Sequence, residues 1–228
     1  MRFSHFRALA ICGVMMAGQA ILCERKALAC ENPSYCEPIN VDDQTPSRSK
    51  QPPVSQLTLL GLHLHTNNVE DMRRRLGNAQ FMHEDECGGR DFCFESADGD
   101  DPTTLIVEAW GPELVAFTVL PIRIKNERCI KSHLVNRALG TEGGLRLGMT
   151  LHDVEPLLGA PIQATPAGIA YSFLTRQRMT DSDVRAYEKV MPRAAILSDP
   201  FLDEWTVIQV GTQGSRVSCF QVQNTKTH

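Results

Sequence analysis

The sequence predicts an α+β chain built as two tandem modules, each with short helices packed on one face of an antiparallel sheet. Three observations predict it. "GLHLHTNNVEDMRRRLGN" and "GLRLGMTLHDVEPLLGAP" share one pattern of cap, apolar stripe and closing glycine. Their helix ends align at an offset of 82 residues, which sets Leu76-Gly77 on Leu158-Gly159 and Asp71 on Asp153. After each, short β-branched and aromatic runs are separated by Gly, Asp and Pro, the residues that favour turns. Repetition of such a unit within one chain is economically read as a tandem duplication.

Ahead of the repeats, residues 1–29 read as a signal segment. Arg2 and Arg7 flank the start, "ALAICGVMMAGQAIL" is apolar, and Ala27-Leu28-Ala29 supplies a small-x-small cleavage pattern. That apolar run falls short of the roughly 20 residues a membrane-spanning helix needs. A lipid anchor would place the acylated thiol at Cys30, but Ala27 and Leu28 stand in the reverse of the usual order and charges interrupt the approach. Removing the segment takes four cations and one anion from totals of 23 and 27, leaving 19 basic and 26 acidic residues. An acidic chain without clustered Lys and Arg argues against a nucleic-acid partner.

Residues 30–56 are rich in Pro, Ser, Asp and Gln and read as an exposed arm or linker. The first module then runs over residues 57–125. Asn68 precedes Val69, Met72 and Leu76 at helical spacing, with Asp71 in the first turn and Gly77 as the stop. Arg73, Arg74 and Arg75 occupy the last turn, where cations suit the helix dipole and a solvated face is the plain explanation. Strands are expected at "AQFMH", "DFCFES", "TTLIVEAW" and "ELVAFTVLPIRI". The second module covers residues 126–228. "CIKSHLVNRAL" is expected to be a helix, with Ile130, Leu134 and Ala138 along one side. Thr150 and Asp153 repeat the cap spacing, and Leu151, Val154 and Leu158 form the stripe. Strands follow at "GIAYSFLT", "EWTVIQVG" and "RVSCFQVQ", interrupted by an insertion whose opening predicts a short helix with Val184 and Tyr187 on one side.

Eight cysteines are present, of which Cys12 and Cys23 fall in the signal segment. An even remainder in an exported chain, Cys30, Cys36, Cys87, Cys93, Cys129 and Cys219, reads as disulfides. The simplest scheme pairs Cys30 with Cys36, Cys87 with Cys93, and Cys129 with Cys219, the last contributing roughly 4 kcal/mol in the chain-entropy account. Neither C-x5-C segment has the two-to-four-residue thiolate spacing expected of a zinc site.

The motif from Gly144 to Pro161, G-L-R-L-G-M-T-x-x-D-V-x-x-L-L-G-x-P, resembles the signature of exported modules of the beta-lactamase-inhibitory-protein-like and small outer-membrane-assembly-lipoprotein class. The resemblance implies helices on one face of a short antiparallel sheet, two modules in tandem, and a protein partner. The first module departs from it, with His65-Thr66-Asn67 standing where Gly148-Met149-Thr150 stand in the second.

No residue set announces chemistry. His63 and His65, joined by His83 and Glu84, form the best metal candidate, provided that residues 62–65 are extended so that both histidines share a face. Ser132, His133, His152 and Asp153 lack a Gly-x-Ser-x-Gly elbow. "ESADGDDP" invites a calcium reading but lacks the ligand spacing of an EF-hand loop. No catalytic, cofactor or metal residue is therefore assigned. The expectation is an exported, non-catalytic protein-binding or inhibitor-like protein of the cell envelope, found in the periplasm or secreted. The alternatives are an outer-membrane assembly accessory, which touches a membrane only if Cys30 is lipidated, and a periplasmic hydrolase or metal-dependent enzyme. Trp110, Trp205 and Tyr171 lie on expected strands, and a sheet with helices on one face offers the other for contact.

Overall fold

The computed structural model describes residues 39, 41, 45–84, 88–189 and 191–227. A 3-10 turn at Val54–Leu57 leads into a hairpin of β1 (Thr58–Leu59) and β2 (Leu62–His63), then α1 (Val69–Leu76). Four strands follow: β3 (Phe81–Glu84), β4 (Gly89–Ser96), β5 (Thr104–Trp110) and β6 (Glu113–Leu120). After a connector come β7 (Ile130–Ser132), α2 (Leu151–Leu158), β8 (Gln163–Thr165) and β9 (Gly168–Arg178). The chain closes with α3 (Asp181–Tyr187), α4 (Arg193–Ser198), β10 (Phe201–Gln213) and β11 (Arg216–Thr227). This is a mixed α+β fold whose sheet is mostly antiparallel.

Both principal helices start for the reason their sequences give. The Asn68 side chain accepts from the Glu70 and Asp71 amides while the Asp71 carboxylate accepts from the Asn68 amide. Thr150 and Asp153 make the same reciprocal box. The Gly77 and Gly159 amides close the helices onto the Arg73 and Glu155 carbonyls. Both glycines hold positive φ, and a Cβ on Gly77 would also press on Ile130.

The strands join in the order β3-β4-β5-β6-β11-β10-β9-β8, with β7 parallel to β4. The last strand of each half therefore meets the other, Phe220 to Gln223 pairing antiparallel with Val119 to Ala116. Two apolar rows cross the whole sheet on one face. One runs Phe92, Val107, Phe117, Val222, Ile208 and Tyr171; the other runs Phe94, Leu105, Val119, Phe220, Val210 and Ile169. Val69, Met72 and Leu76 of α1 and Val154 and Leu158 of α2 pack on this face, so one core serves both halves. Alternation along a strand makes this possible, since residues two apart share a face.

One expectation is corrected here. The helix expected in "CIKSHLVNRAL" is absent. Ile130 instead aligns with Phe94, and Ser132 and Asn136 accept hydrogen bonds from the Leu134 and Ala138 amides. Such side chains offer the backbone an alternative to the helix. Residues 45–56 of the expected arm are attached at several points while many of them stay exposed. Arg48 exchanges backbone bonds with Ser172 and Leu174, its guanidinium reaches the Leu158 and Ala160 carbonyls at the end of α2, and Gln56 is buried. The short helix expected at the opening of the insertion is present as α3, and a second, α4, follows it; Val184 and Tyr187 of α3, Met191 between the helices and Ile196 of α4 pack with Met179 and Leu202.

Phe117 and Val222 face each other where the halves join, both fully buried. Phe117→Ala is expected to cost about 3–5 kcal/mol of folding stability, measured by urea denaturation. A loss below about 1 kcal/mol would mean that this junction is not packed as described.

Candidate functional site

β4 and β7 run parallel with Phe94 opposite Ile130, so the preceding residues, Cys93 and Cys129, face each other. They form a disulfide with Cα atoms 4.5 Å apart. The pairings of Cys87 with Cys93 and of Cys129 with Cys219 are thereby corrected. The reason is that a tertiary alignment, not proximity in sequence, selects the partner. Cys219 is disulfide-bonded too, though not to Cys129. Cys30, Cys36 and Cys87 lie outside the described residues, as does the signal segment. A disulfide is compatible with an extracellular or periplasmic protein. Among the described residues no helix is long and apolar enough to cross a membrane.

The candidate histidines are separated. β2 ends at His63, and His65 turns away with φ of 58°. His63 Nδ1 meets the Thr66 hydroxyl at 2.9 Å. His65 places Nδ1 3.0 Å from Glu113 and Nε2 2.7 Å from the Asn224 carbonyl oxygen, bridging β6 and β11. His83 and Glu84 sit on β3. Among the described residues no three His, Cys, Asp or Glu side chains gather as a metal site. Ser132 is buried beside β4, whereas Asp153 is committed to the α2 cap, where the Thr150 hydroxyl and amide hold its carboxyl below the usual range. Arg73 covers the Phe92 ring and pairs with Glu70, and Arg74 pairs with Asp71.

The acidic loop after β4 carries its own cation. Arg123 Nη2 donates to the carbonyl oxygens of Asp98, Gly99 and Asp101 at 2.5, 2.9 and 2.9 Å. Those converging oxygens would otherwise invite a metal ion. Asp101 is buried and accepts from the Thr103 amide and hydroxyl and from the Arg137 amide. Burial alone would raise its carboxyl, but these hydrogen bonds outweigh it and hold the group below 3.8. Glu95 lies beside this loop, with Lys131 Nζ at 2.6 Å.

The face of the sheet away from the helices is largely polar. Its rows contain Thr118, Gln221 and Gln209, then Glu108, Gln223 and Ser172. The sequence expectation that this face lies open is only partly met, because all six are buried. Ile122 and Ile124 of the connector pack over Ile106, Leu120 and Cys219, while Ile39 and Val41 pack on Ala170 and Val207. Openness returns where β9, β10 and β11 run beyond β8 and β6. There Leu174 is 42% exposed and Phe201 39% exposed. Trp205 is half-buried beside them, its indole N–H donating to the Ser172 hydroxyl at 2.7 Å. Arg176 stacks over Phe201 at 5.0 Å and pairs with Asp199.

The aromatic candidates thus divide. Tyr171 is core, and burial pushes its phenol up to about 12 despite the neighbouring Arg48. Trp205 borders the open patch, and Trp110 stands 41% exposed at the end of β5. Sequence reasoning missed Leu174, Arg176 and Phe201. Their signal was the alternation of Leu174, Arg176 and Arg178 on one side of a strand that outlasts the short β8 beside it. Comparison of the chain with protein-family models, with curated proteins and with solved structures finds no match in any of the three.

The depressed Asp101 carboxyl sets a pH dependence. A folded value below the unfolded one contributes stability above the unfolded value, and this is lost as pH falls through the folded one. Asp101→Asn is therefore expected to cost about 1–3 kcal/mol near neutral pH. The gap to the unaltered chain should narrow as pH falls below the ordinary carboxylate range, as urea denaturation at neutral and at acid pH would show. An equal gap at both would contradict this role.

Proposed function

We propose that the chain is an exported, non-catalytic binding protein of the cell envelope, which recognises another protein as an inhibitor or docking component. The observation that carries this reading is the open group of Leu174, Phe201, Trp205 and Arg176 at the end of β9 and β10. Aromatic residues and arginine are the side chains enriched at protein interfaces, where an apolar centre with a charged rim excludes water. The paired cysteines fit export, and the separation of the candidate histidines gives an enzymatic reading no geometric support.

We also infer that the halves are tandem modules of the kind the Gly144 to Pro161 motif resembles. Support comes from two eight-residue helices with reciprocal caps and glycine stops, each followed by a four-stranded antiparallel run. α3 and α4 then represent an insertion in the second module. An outer-membrane accessory remains the second outcome to distinguish, through the fate of Cys30.

The test is affinity capture from an envelope extract with the mature chain, with zinc measured in the same eluate. The expected result is one stoichiometric protein partner, lost when Leu174→Glu and Phe201→Ser are combined, and no bound zinc. Membrane retention without any protein partner would favour the accessory, and one tightly held zinc per chain would overturn the non-catalytic reading.

A further inference from the structure

Resting on the binding reading above, we propose that the free edge of β9 from Leu174 to Arg178 accepts an extended, carboxylate-bearing segment of another protein as an added strand. The proposal begins with backbone groups. β8 pairs with β9 only from Gly168 to Ala170, and the attached arm covers only the next step, Arg48 bonding the Ser172 carbonyl and the Leu174 amide. In an antiparallel ladder, alternate residues direct both backbone groups to the same neighbour. Ser172 and Leu174 thus point away from β10, and by the same alternation so do Arg176 and Arg178. Among the described residues no backbone partner meets the Leu174 carbonyl, either backbone group of Arg176, or the Arg178 amide.

The insertion does not close this edge. Its helices pack with Met179 and Leu202, and Leu202 pairs with Gln177, so they lie on the face opposite Leu174, Arg176 and Arg178. Residues 176–178 are all exposed. An unpaired edge of this length is a template for another strand.

The side chains select the occupant. Leu174, Arg176 and Arg178 share one face of β9, next to Phe201 and Trp205 on β10. Arg176 is already paired with Asp199, whereas no carboxylate holds Arg178 among the described residues. A second copy pairing antiparallel about Arg176 or Gln177 would set arginine against arginine, which is destabilising. A segment whose alternate residues are acidic would instead set carboxylates beside Arg176 and Arg178 while completing the backbone bonds.

The probes are an acetylated peptide, Thr-Glu-Val-Glu-Val-Glu-Thr, and its counterpart with lysine for each glutamate, titrated into the mature chain and followed by amide NMR and hydrogen exchange. The acidic peptide should shift and protect the Arg176 and Arg178 amides, and the lysine peptide should not. Arg178→Glu, at a side chain that no carboxylate holds among the described residues, should weaken binding about tenfold; Arg176→Glu, checked for intact fold by circular dichroism, should do the same. Equal binding of both peptides, no protection of those amides, or a dimer of the free chain that protects them would each overturn the proposal. A captured protein partner indifferent to both substitutions would sink this edge but leave the binding function standing. Failure to capture any partner, with the peptide still protecting the edge, would sink the function alone.

Discussion

The antiparallel contact between β6 and β11 is the constraint on which the remaining structure depends. Only four residue pairs make it, against eleven between β10 and β11. Yet those four align Phe117 with Val222 and Val119 with Phe220, so each apolar row continues from one half to the other. Without the contact, two fully buried pairs would face water and each half would end in an open edge strand. Just beyond the ladder, His65 ties Glu113 of β6 to the Asn224 carbonyl of β11. The short seam is therefore held by packing first and by one imidazole bridge second.

The parts of the fold legible in sequence were those fixed locally. Asn68 with Asp71, Thr150 with Asp153, and the two stopping glycines each act within a few residues, so their spacing was enough. Ile130, Leu134 and Ala138 show how periodicity misleads. Their spacing is helical, but Cys129 is tied to Cys93 and Ile130 is paired beside Phe94, and tertiary attachment overrides the local pattern. The short β8 carries too little alternation to be recognised, and it exists because β9 supplies its partner.

The candidate surface was less legible still, since exposure on a sheet depends on what distant segments cover. Gln209, Gln221 and Gln223 stand on the face away from the helices, yet all three are buried, and the connector and Ile39 with Val41 reach the same face. Arg123 gives the same lesson at the acidic loop. Its guanidinium arrives from beyond β6 and meets the carbonyls of a loop whose sequence invites calcium but lacks the EF-hand ligand spacing. What stays uncovered is the far end of β9 and β10, where β9 has outrun the short β8. Recognition there follows from topology as much as from composition.

One tryptophan lies in each half, Trp110 on β5 and Trp205 on β10, so the seam can be tested directly. Single-tryptophan variants, Trp110→Phe and Trp205→Phe, each report urea unfolding from one half by fluorescence, with circular dichroism of each variant as the common reference. If the β6–β11 contact makes one cooperative core, fluorescence and circular dichroism should give the same midpoint and slope within each variant. Fluorescence transitions that separate from the circular dichroism in opposite directions, one half unfolding while the other persists, would contradict the account.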